Sequence, residues 1–489
     1  MNTEKTVFEK YPDYQVVIGI EVHVQLKTKT KLFCCCINKF GSDANSNVCE
    51  ICLGLLGSLP VLNKSAIDFA IKAGLATNCT ISRVSDFARK HYMYPDIPKN
   101  YQITQNDRPL CTDGYVAIIK ENGDEKKIRL NRIHVEEDAG KNHHSNLNGG
   151  CTLVDFNRAG APLIEIVSEP DISSPQEARD YLNRLRTIVQ YLDISNANME
   201  EGSFRADVNV SVKKKTDTKL GTRTELKNIN SFKFVELAAE YEIVRQIELL
   251  ESGDKVVQET RSWDEKDRKT FCMRSKEDAQ DYRYFSDPDL PLLIIDQEWI
   301  DRLENEIPEL PEQKYKRFQE EYGLSAYESE ILTGDQALAT FFEKAAAKCK
   351  QPKAVCNWML RDLFSYMNEE KLALEELKFS PEGFAELIIV IETGVISSSI
   401  ARDVFLVMAQ TGKYPSIIIE EKGLTQINSE VELEAWAVQV IAQFKEQFAD
   451  FKAGNERILG FLVGQVMKLS GGKANPKVIN QILFKLAKK

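Results

Sequence analysis

The sequence predicts an α+β protein: a β-rich domain that also carries helices, then an all-helical domain and a small helical tail domain. Apolar and polar residues alternate in several segments of the first 300 residues, which is the pattern of half-buried strands. After Pro291, apolar residues recur at helical spacing instead. A length of 489 residues favours about three domains, which we place at residues 1–296, 297–414 and 415–489.

Two segments define the strands of the β-rich domain. In residues 15–26 every second residue is apolar, so Glu21 and His23 lie together on the opposite face. Residues 204–212 alternate in the same way and place Arg205 on the polar face. We therefore expect strands with one face in the core and one polar face.

Helix signals interrupt the β-rich domain twice and dominate the rest of the chain. Residues 174–177, Ser-Pro-Gln-Glu, form a capping box with proline at the first helical position. A second helix is predicted over residues 234–250, and Gly253 ends it. In the tail, Asn475 and Pro476 are expected to open the last helix.

Composition argues against a membrane protein. No run of about 18 apolar residues occurs and the polar start lacks a signal stretch, so we expect a cytoplasmic protein without a membrane partner. The net charge of −11 argues against a surface that coats nucleic acid along its whole length. A local basic footprint exists, because residues 451–489 hold eight Lys/Arg and one acidic residue.

Five of the eleven cysteines lie between positions 34 and 52. Cys34, Cys36, Cys49 and Cys52 can close a tetrahedral thiolate shell around Zn²⁺. Such a shell has a structural role, because it leaves no open position for a substrate. Two alternatives stay open at this stage: buried reduced cysteines without a metal, and binding by Cys35 in place of Cys36.

Acidic residues on strand-like segments suggest a second cation site. Glu21 and His23 share a strand face, residues 136–138 are three adjacent acids, and Glu165 interrupts an apolar strand. An unpaired buried carboxylate is costly, so Glu165 is either paired or binds a cation. Hard oxygen ligands suit Mg²⁺. Each motif alone is also compatible with a polar strand face or a solvated turn.

Nucleotide and RNA contacts are indicated less directly. Neither a P-loop nor a G-x-G-x-x-G motif occurs, so any ATP has to be held in another way. Basic and aromatic residues interleave over residues 89–96, which suits phosphate contact and base stacking or, alternatively, an edge strand. Lys468 and Lys473 flank two glycines, as in a basic loop or a solvated helix end.

Eight segments, in this order, resemble the GatB family, the B subunits of the glutamyl/aspartyl-tRNA amidotransferases. They are VIGIEVHVQLKTKTKLFC, RKHYMYPDIPKNYQITQ, HVEEDAGK, DFNRAGAPLIEIVSEPD, MEEGSFRADVNVSV, GTRTELKNINSF, DYRYFSDPDLP and GFLVGQVMKLSGGKANP. Together they extend over nearly the whole chain. The resemblance implies a cradle domain with kinase and transamidase activity, a helical domain and a tail similar to YqeY-type proteins.

The resemblance also implies a reaction. ATP would phosphorylate the side-chain carboxylate of Glu or Asp misacylated onto the tRNA for Gln or Asn, and ammonia would then displace the phosphate. The implied partners are the misacylated tRNA, an amidase subunit that supplies ammonia, and a small third subunit. The implied cofactors are ATP, Mg²⁺ and structural Zn²⁺.

Single residues acquire roles where the motifs match. The Mg²⁺ ligands and catalytic groups would be Glu21, His23, Glu137 and Glu165, with Glu136 as the less favoured neighbour. The zinc ligands would be Cys34, Cys36, Cys49 and Cys52. The pocket for ATP and the aminoacylated tRNA end would use Lys90, Tyr92, Tyr94, Asn157, Arg158, Arg205, Lys227 and Asn228. The tRNA body would be held around Lys468, Lys473 and Asn475.

Two other functions compete with the amidotransferase interpretation. One is a zinc-containing, non-catalytic RNA-binding scaffold in which the acids are merely structural. The other is a metal-dependent hydrolase that uses Glu21, His23 and the acids to activate water. Only His23 and His134 occupy credible strand positions for such a hydrolase. Nucleotide binding separates the scaffold from the enzyme, and phosphate release without tRNA would favour the hydrolase.

Overall fold

The computed structural model describes residues 10–120, 123–145, 150–275, 281–424, 430–470 and 474–488. The chain divides into two compact units, Met1–Pro311 and Glu312–Lys489. Among the described residues, no helix is long and apolar enough to cross a membrane. The predicted class, a sheet-rich region followed by helices, is confirmed.

The described part of the first unit is built on a nine-stranded sheet. The strands, in chain order, are β1 Tyr14–Gln25, β2 Thr80–Ile81, β3 Val84–Ser85, β4 Ala88–His91, β5 Tyr101–Thr104, β6 Cys111–Ile119, β7 Glu125–Glu137, β8 Lys141–Ser145, β9 Cys151–Asp155, β10 Pro162–Ser168, β11 Phe204–Lys214, β12 Thr224–Lys227, β13 Glu259–Asp264, β14 Lys269–Ser275, β15 Phe285–Ser286 and β16 Leu293–Ile294. The large sheet has the order β14-β13-β12-β11-β1-β10-β7-β6-β2. Its pairs are antiparallel except β12–β13. A smaller sheet, β15-β4-β5, lies beside the candidate site.

The two predicted strands lie side by side at the centre of the large sheet. Strand β1 pairs with β10 on one edge and with β11 on the other. Their apolar residues are buried, as the alternation predicts. The apolar face packs against helices α1 (Lys64–Ala76), α2 (Pro175–Tyr191) and α3 (Phe232–Glu251), which leaves the polar face for chemistry.

Local sequence explains where the helices begin. The Ser174 side chain accepts a hydrogen bond from the Glu177 backbone N–H, and Pro175 occupies the first turn of α2. In a capping box the Glu177 carboxylate would accept a hydrogen bond from the Ser174 backbone N–H. In the structure it accepts one from the Ser173 backbone N–H instead. Helix α3 begins at Phe232, two residues before the predicted start, and Gly253 follows it with φ +85°.

Strand β7 contains a β-bulge that decides which side chains face the site. Opposite it on β10, Val167 pairs with Arg132 and the next residue, Ser168, pairs with Leu130. One extra residue of β7 is therefore inserted between Leu130 and Arg132. Both Leu130 and Ile133 are buried in the core, although an unbroken alternation would place them on opposite faces.

The second unit is helical throughout its described part. Its helices are α5 Pro311–Tyr322, α6 Ala326–Thr333, α7 Gln336–Cys349, α8 Pro352–Trp358, α9 Phe364–Glu370, α10 Pro381–Glu392, α11 Ser398–Thr411, α12 Pro415–Lys422, α13 Glu430–Gln443, α14 Lys445–Lys452, α15 Leu459–Leu469 and α16 Pro476–Lys488. One hydrophobic cluster spans residues 318–419 and another spans residues 433–483.

Helix α4, Gln297–Asn305, lies beyond the domain boundary predicted at residue 296. Its Ile300 and Leu303 are buried in the core of the large sheet. The first compact unit therefore runs to Pro311. At the other predicted boundary, Ile418 and Ile419 of α12 belong to the core of residues 318–419, so that core extends past residue 415.

Candidate active site and zinc site

The polar face of the large sheet collects ionisable side chains from adjacent strands. His23 on β1 is the direct neighbour of Glu165 on β10, and Glu165 is the direct neighbour of His134 on β7. Glu136 lies two residues beyond His134 and therefore points to the same side. On the other edge of β1, Arg205 on β11 lies opposite His23.

Three of these groups lie close enough to share one cation. Nε2 of His23 is 3.4 Å from Oε2 of Glu165 and 3.6 Å from Oε1 of Glu136. The ligand atoms of His23, Glu136 and Glu165 all lie within 4.8 Å of one another. Ligands bound at right angles to Mg²⁺ are spaced about 3 Å apart. One imidazole and two carboxylates therefore fit a divalent cation, and we call this group the carboxylate centre.

The carboxylates of the centre are ionised despite their burial. Burial opposes ionisation of Glu165, but hydrogen bonds from His134 and His23 hold the pKa of Glu165 well below its ordinary value. Burial likewise opposes protonation of His134, and its hydrogen bonds to Glu136 and Glu165 outweigh it, which raises the pKa of His134 to about 9. The carboxylates are therefore held in the ionised form, and the imidazoles of His23 and His134, whose pKa values the same interactions raise, compensate their charge.

The four residues predicted to hold Mg²⁺ separate in the structure. His23 and Glu165 come together. Glu21 lies two residues before His23 on β1, and its carboxylate accepts a hydrogen bond from Asn209 at 3.1 Å. Burial and the charge of Glu165 raise the pKa of Glu21. Glu137 points to the opposite face of the sheet, where it pairs with Lys99 and accepts from the Ile103 backbone N–H at 2.9 Å.

Glu136, and not Glu137, is therefore the acid beside His23 and Glu165. Successive side chains of a strand alternate between faces, so only one of the two can reach the centre. Both are buried, at 3% and 5% exposure. We carry Glu136 forward as the proposed ligand in place of Glu137.

Cationic and aromatic side chains border the carboxylate centre. Lys90 on β4 is partly buried, which opposes its protonation, but the charge of Glu136 outweighs this effect and raises the pKa of Lys90. Its Nζ lies 4.9 Å from the centre of the Tyr282 ring, and Tyr92 packs edge-on to the same ring. Tyr94 is nearly half exposed, at 48%. This border can contact a polyphosphate and stack on a base.

Several predicted pocket residues are occupied by protein partners. Arg205 donates to Asp138 at 3.0 Å, and Arg158 donates to the carbonyls of residues 139 and 140. Asn157 accepts from the Asn47 backbone N–H at 2.8 Å and so ties the cysteine-rich loop to the sheet. These contacts position the walls of the site.

The remaining predicted residues lie further along the polar face or in the tail. Lys227 pairs with Asp207 at 2.5 Å, and Asn228 donates to the Ser262 hydroxyl at 3.1 Å. Lys468 is exposed near the end of α15. Asn475 precedes α16, and Lys473 lies outside the described residues.

The four predicted zinc cysteines come together. One sulfur from each of Cys34, Cys36, Cys49 and Cys52 lies within 4.8 Å of the others, as a tetrahedral thiolate site requires. Cys35 is exposed and does not belong to the group, which resolves the choice between Cys35 and Cys36. The cluster is compatible with structural zinc.

Neighbouring donors stabilise negative charge on this cluster. The Cys34 thiol donates to Cys52 and lowers the pKa of Cys52, and the Cys49 backbone N–H adds a bond at 3.1 Å to the Cys52 sulfur. Nζ of Lys31 lies 3.6 Å from the same sulfur, and Lys31 is only 1% exposed. A thiolate is the form that binds metal.

Several residues that border the two sites received no individual role from the sequence. His134 belongs to the carboxylate centre, Asp138 receives Arg205, Lys31 faces the thiols and Tyr282 covers Lys90. His134 was recognisable only as a strand histidine. Tyr282 lies 192 residues from Lys90 in the chain, so only the pairing of β4 with β15 brings the two together.

The chain is thus an α+β protein with a four-cysteine cluster and a buried carboxylate centre, each of which could hold a metal ion. The GatB/GatE catalytic domain model matches residues 16–301, and a GatB domain model of the YqeY type matches residues 340–486. One relative, the B subunit of the aspartyl/glutamyl-tRNA(Asn/Gln) amidotransferase from Thermodesulfovibrio yellowstonii, is 50% identical over 97% of this chain and 99% of its own length.

Other relatives carry the same name. The proteins from Thermoanaerobacter pseudethanolicus and Brevibacillus brevis are 52% and 49% identical, each over 96% of this chain and 98% of their own lengths. The two models together match well over half of the chain. The chain belongs to the GatB family of amidotransferase subunits.

Proposed function

We propose that this chain phosphorylates the side-chain carboxylate of Glu or Asp on a misacylated tRNA with ATP, and then forms the amide with ammonia from an amidase subunit. The names of its relatives support the substrates Glu-tRNA(Gln) and Asp-tRNA(Asn). One structural observation carries the proposal: a buried carboxylate centre next to Lys90 and Arg205, within the part that matches a catalytic domain.

A free carboxylate resists attack by ammonia because oxide would have to leave, and phosphorylation supplies a better leaving group. A bound Mg²⁺ would neutralise charge on the phosphoryl group in flight. His23, Glu136 and Glu165 are the residues that would hold it. Lys90 is positioned to meet equatorial phosphoryl oxygens, and Arg205 is held toward the same face by Asp138.

Burial of the centre supports the second step. An acyl phosphate hydrolyses in bulk water, so a site that limits water favours attack by ammonia. Glu136 and His134 are each only 3% exposed. The partners we propose are the amidase subunit, the small third subunit and tRNA. Zinc at the four cysteines has a structural role.

The test is co-expression with the two partner subunits and conversion of misacylated tRNA in the presence of ATP. Glutamine and free ammonium are compared as nitrogen donors. The proposal requires that Glu136→Gln abolishes conversion with both donors, because both need the phosphorylated carboxylate. Full activity of the variant with ammonium would assign Glu136 to ammonia delivery instead. Absence of tRNA-dependent ATP cleavage in the wild type would refute the proposal.

A further inference from the structure

An arginine on the polar face of the large sheet has no polar partner among the described residues. Arg132 lies on β7 two residues before His134, so both side chains point to the same side. The β-bulge puts it there, because unbroken alternation from the buried Leu130 would turn Arg132 into the core. Within the described part of the chain, its buried Nε has no hydrogen-bond partner and its guanidinium forms no ion pair.

Sheet register explains why Arg132 is unpaired. Its direct neighbours are Val167 on β10 and Thr112 on β6, and neither carries a charge. Glu165 is a diagonal neighbour within reach of a long side chain, but its carboxylate interacts with the two histidines of the polar face instead. An arginine keeps its charge at any physiological pH. This part of the polar face therefore holds a positive charge that no described side chain compensates.

A comparison on the same strand shows what Arg132 lacks. Arg129, three residues earlier, is exposed and binds the Asp171 carboxylate through two nitrogen atoms, at 2.8 and 2.7 Å. Arg132 is less exposed, yet its Nε has no such acceptor. A shielded donor without an acceptor is costly, and a guanidinium can bind one carboxylate through two parallel hydrogen bonds. An anionic group of a substrate would supply the missing acceptor.

The cations suited to the phosphates of ATP lie toward the other end of the carboxylate centre. Arg205 is held by Asp138, which directly follows β7, and among the charges near Lys90 that of Glu136 acts most strongly. Arg132 lies four residues before Glu136, about 13 Å along the strand. In-line phosphoryl transfer places the donor and acceptor oxygens on opposite sides of the phosphoryl group. Arg132 is therefore on the side of the acceptor, which in the proposed reaction is a carboxylate.

We propose that Arg132 binds the side-chain carboxylate of Glu or Asp on the misacylated tRNA, and that it thereby distinguishes this substrate from the amidated product. This inference rests on the proposed function. The product carries a neutral carboxamide at the same position, and a guanidinium binds a carboxylate more strongly than a neutral group. The charge of Arg132 therefore favours binding before amidation and release after it.

The test compares the affinities for tRNA(Gln) that carries either glutamate or glutamine. The chain is purified with its partner subunits, and binding is measured without ATP so that no reaction occurs. We expect the wild type to bind the glutamyl form at least tenfold more tightly. Arg132→Gln should lose this preference while its affinity for the glutaminyl form stays the same. Arg129→Gln, on the same strand, is the matched control and should keep the full preference.

A second variant covers loss of folding in Arg132→Gln. Arg132→Lys keeps the charge without the planar guanidinium, and its preference should fall several-fold. A preference that survives in both variants, or that the wild type lacks, would overturn the inference and leave the proposed reaction intact. A raised KM for ATP with an unchanged preference would assign Arg132 to a phosphate group and would also overturn it. Absence of tRNA-dependent ATP cleavage in the wild type would instead refute the proposed function.

Discussion

The four-cysteine cluster and the carboxylate centre are two candidate cation sites built by opposite means. The four zinc cysteines lie within residues 34–52, in a loop with almost no regular secondary structure. His23, Glu136 and Glu165 come from three separate strands of one sheet. The first site folds with its own short segment, whereas the second exists only when the whole sheet is in register.

This difference teaches what each site is suited to do. Four thiolates complete a tetrahedral shell and leave no position for another ligand. The carboxylate centre offers three candidate ligands, and Mg²⁺ sites of that kind keep positions for phosphate and water. Stability is therefore expected to respond to the cysteines, and activity to the sheet.

The largest effect on activity should appear when the adjacent acids Glu136 and Glu137 are each replaced by glutamine and the two variants are compared. Glu136→Gln should lower amidation by roughly a thousandfold, because it removes fixed charge at the reacting group. Glu137→Gln breaks a buried pair with Lys99 on the other face and should cost about 3–5 kcal/mol of stability. Per folded molecule, the second variant should keep most of its activity. Single-turnover kinetics measure the activity of each variant, and chemical denaturation measures its stability. Equal activity losses in the two variants would contradict the assignment of Glu136, and not Glu137, to the carboxylate centre.

The next largest effect concerns the zinc shell. Cys52→Ser should abolish stoichiometric zinc and lower the unfolding midpoint by about 5 °C or more, because metal binding stabilises the folded loop. Cys35→Ser should change neither, since Cys35 is exposed outside the cluster. Metal analysis and thermal scans provide the readout. Full zinc content in Cys52→Ser would mean that another ligand completes the shell.

A smaller effect is expected from the cation beside the thiols. Lys31→Met should speed zinc loss to a chelator by roughly tenfold, because the ammonium group at 3.6 Å from the Cys52 sulfur offsets thiolate charge. Lys29→Met is the control, because Lys29 is exposed. An unchanged release rate would assign Lys31 to its bonds with the backbone carbonyls of Asn47 and Phe156 instead.

The smallest effect should be in the tail. Lys468→Ala should weaken tRNA binding only a few-fold and reduce the salt dependence by the equivalent of roughly one phosphate contact. Lys371→Ala, on an exposed residue of the other helical core, should change neither. Binding titrations at several salt concentrations make the comparison. If both variants behave like the wild type, this part of the tail does not contact tRNA.

The sequence allowed much of the fold and the whole zinc site to be predicted, because both depend on local patterns. Strand β1 and helix α2 appear almost where alternation and capping place them. The carboxylate centre was predicted only in part. Counting alternate residues from Leu130 along an unbroken strand puts Glu137 on the polar face, and the bulge in β7 reverses that assignment. Partners from segments far apart in the sequence, such as His134 with Glu165, depend on strand pairing that one segment does not encode.

The bulge in β7 also makes chain length matter more than composition in this stretch. Removing one residue between Leu130 and Glu136 would turn every later side chain of the strand to the opposite side of the sheet. Glu137 would then occupy the place of Glu136, and an acid would still be present. Among descendants of this gene, side chains of this stretch that lie outside the carboxylate centre can change, but a one-codon gain or loss is tolerated only if a second one nearby restores the count.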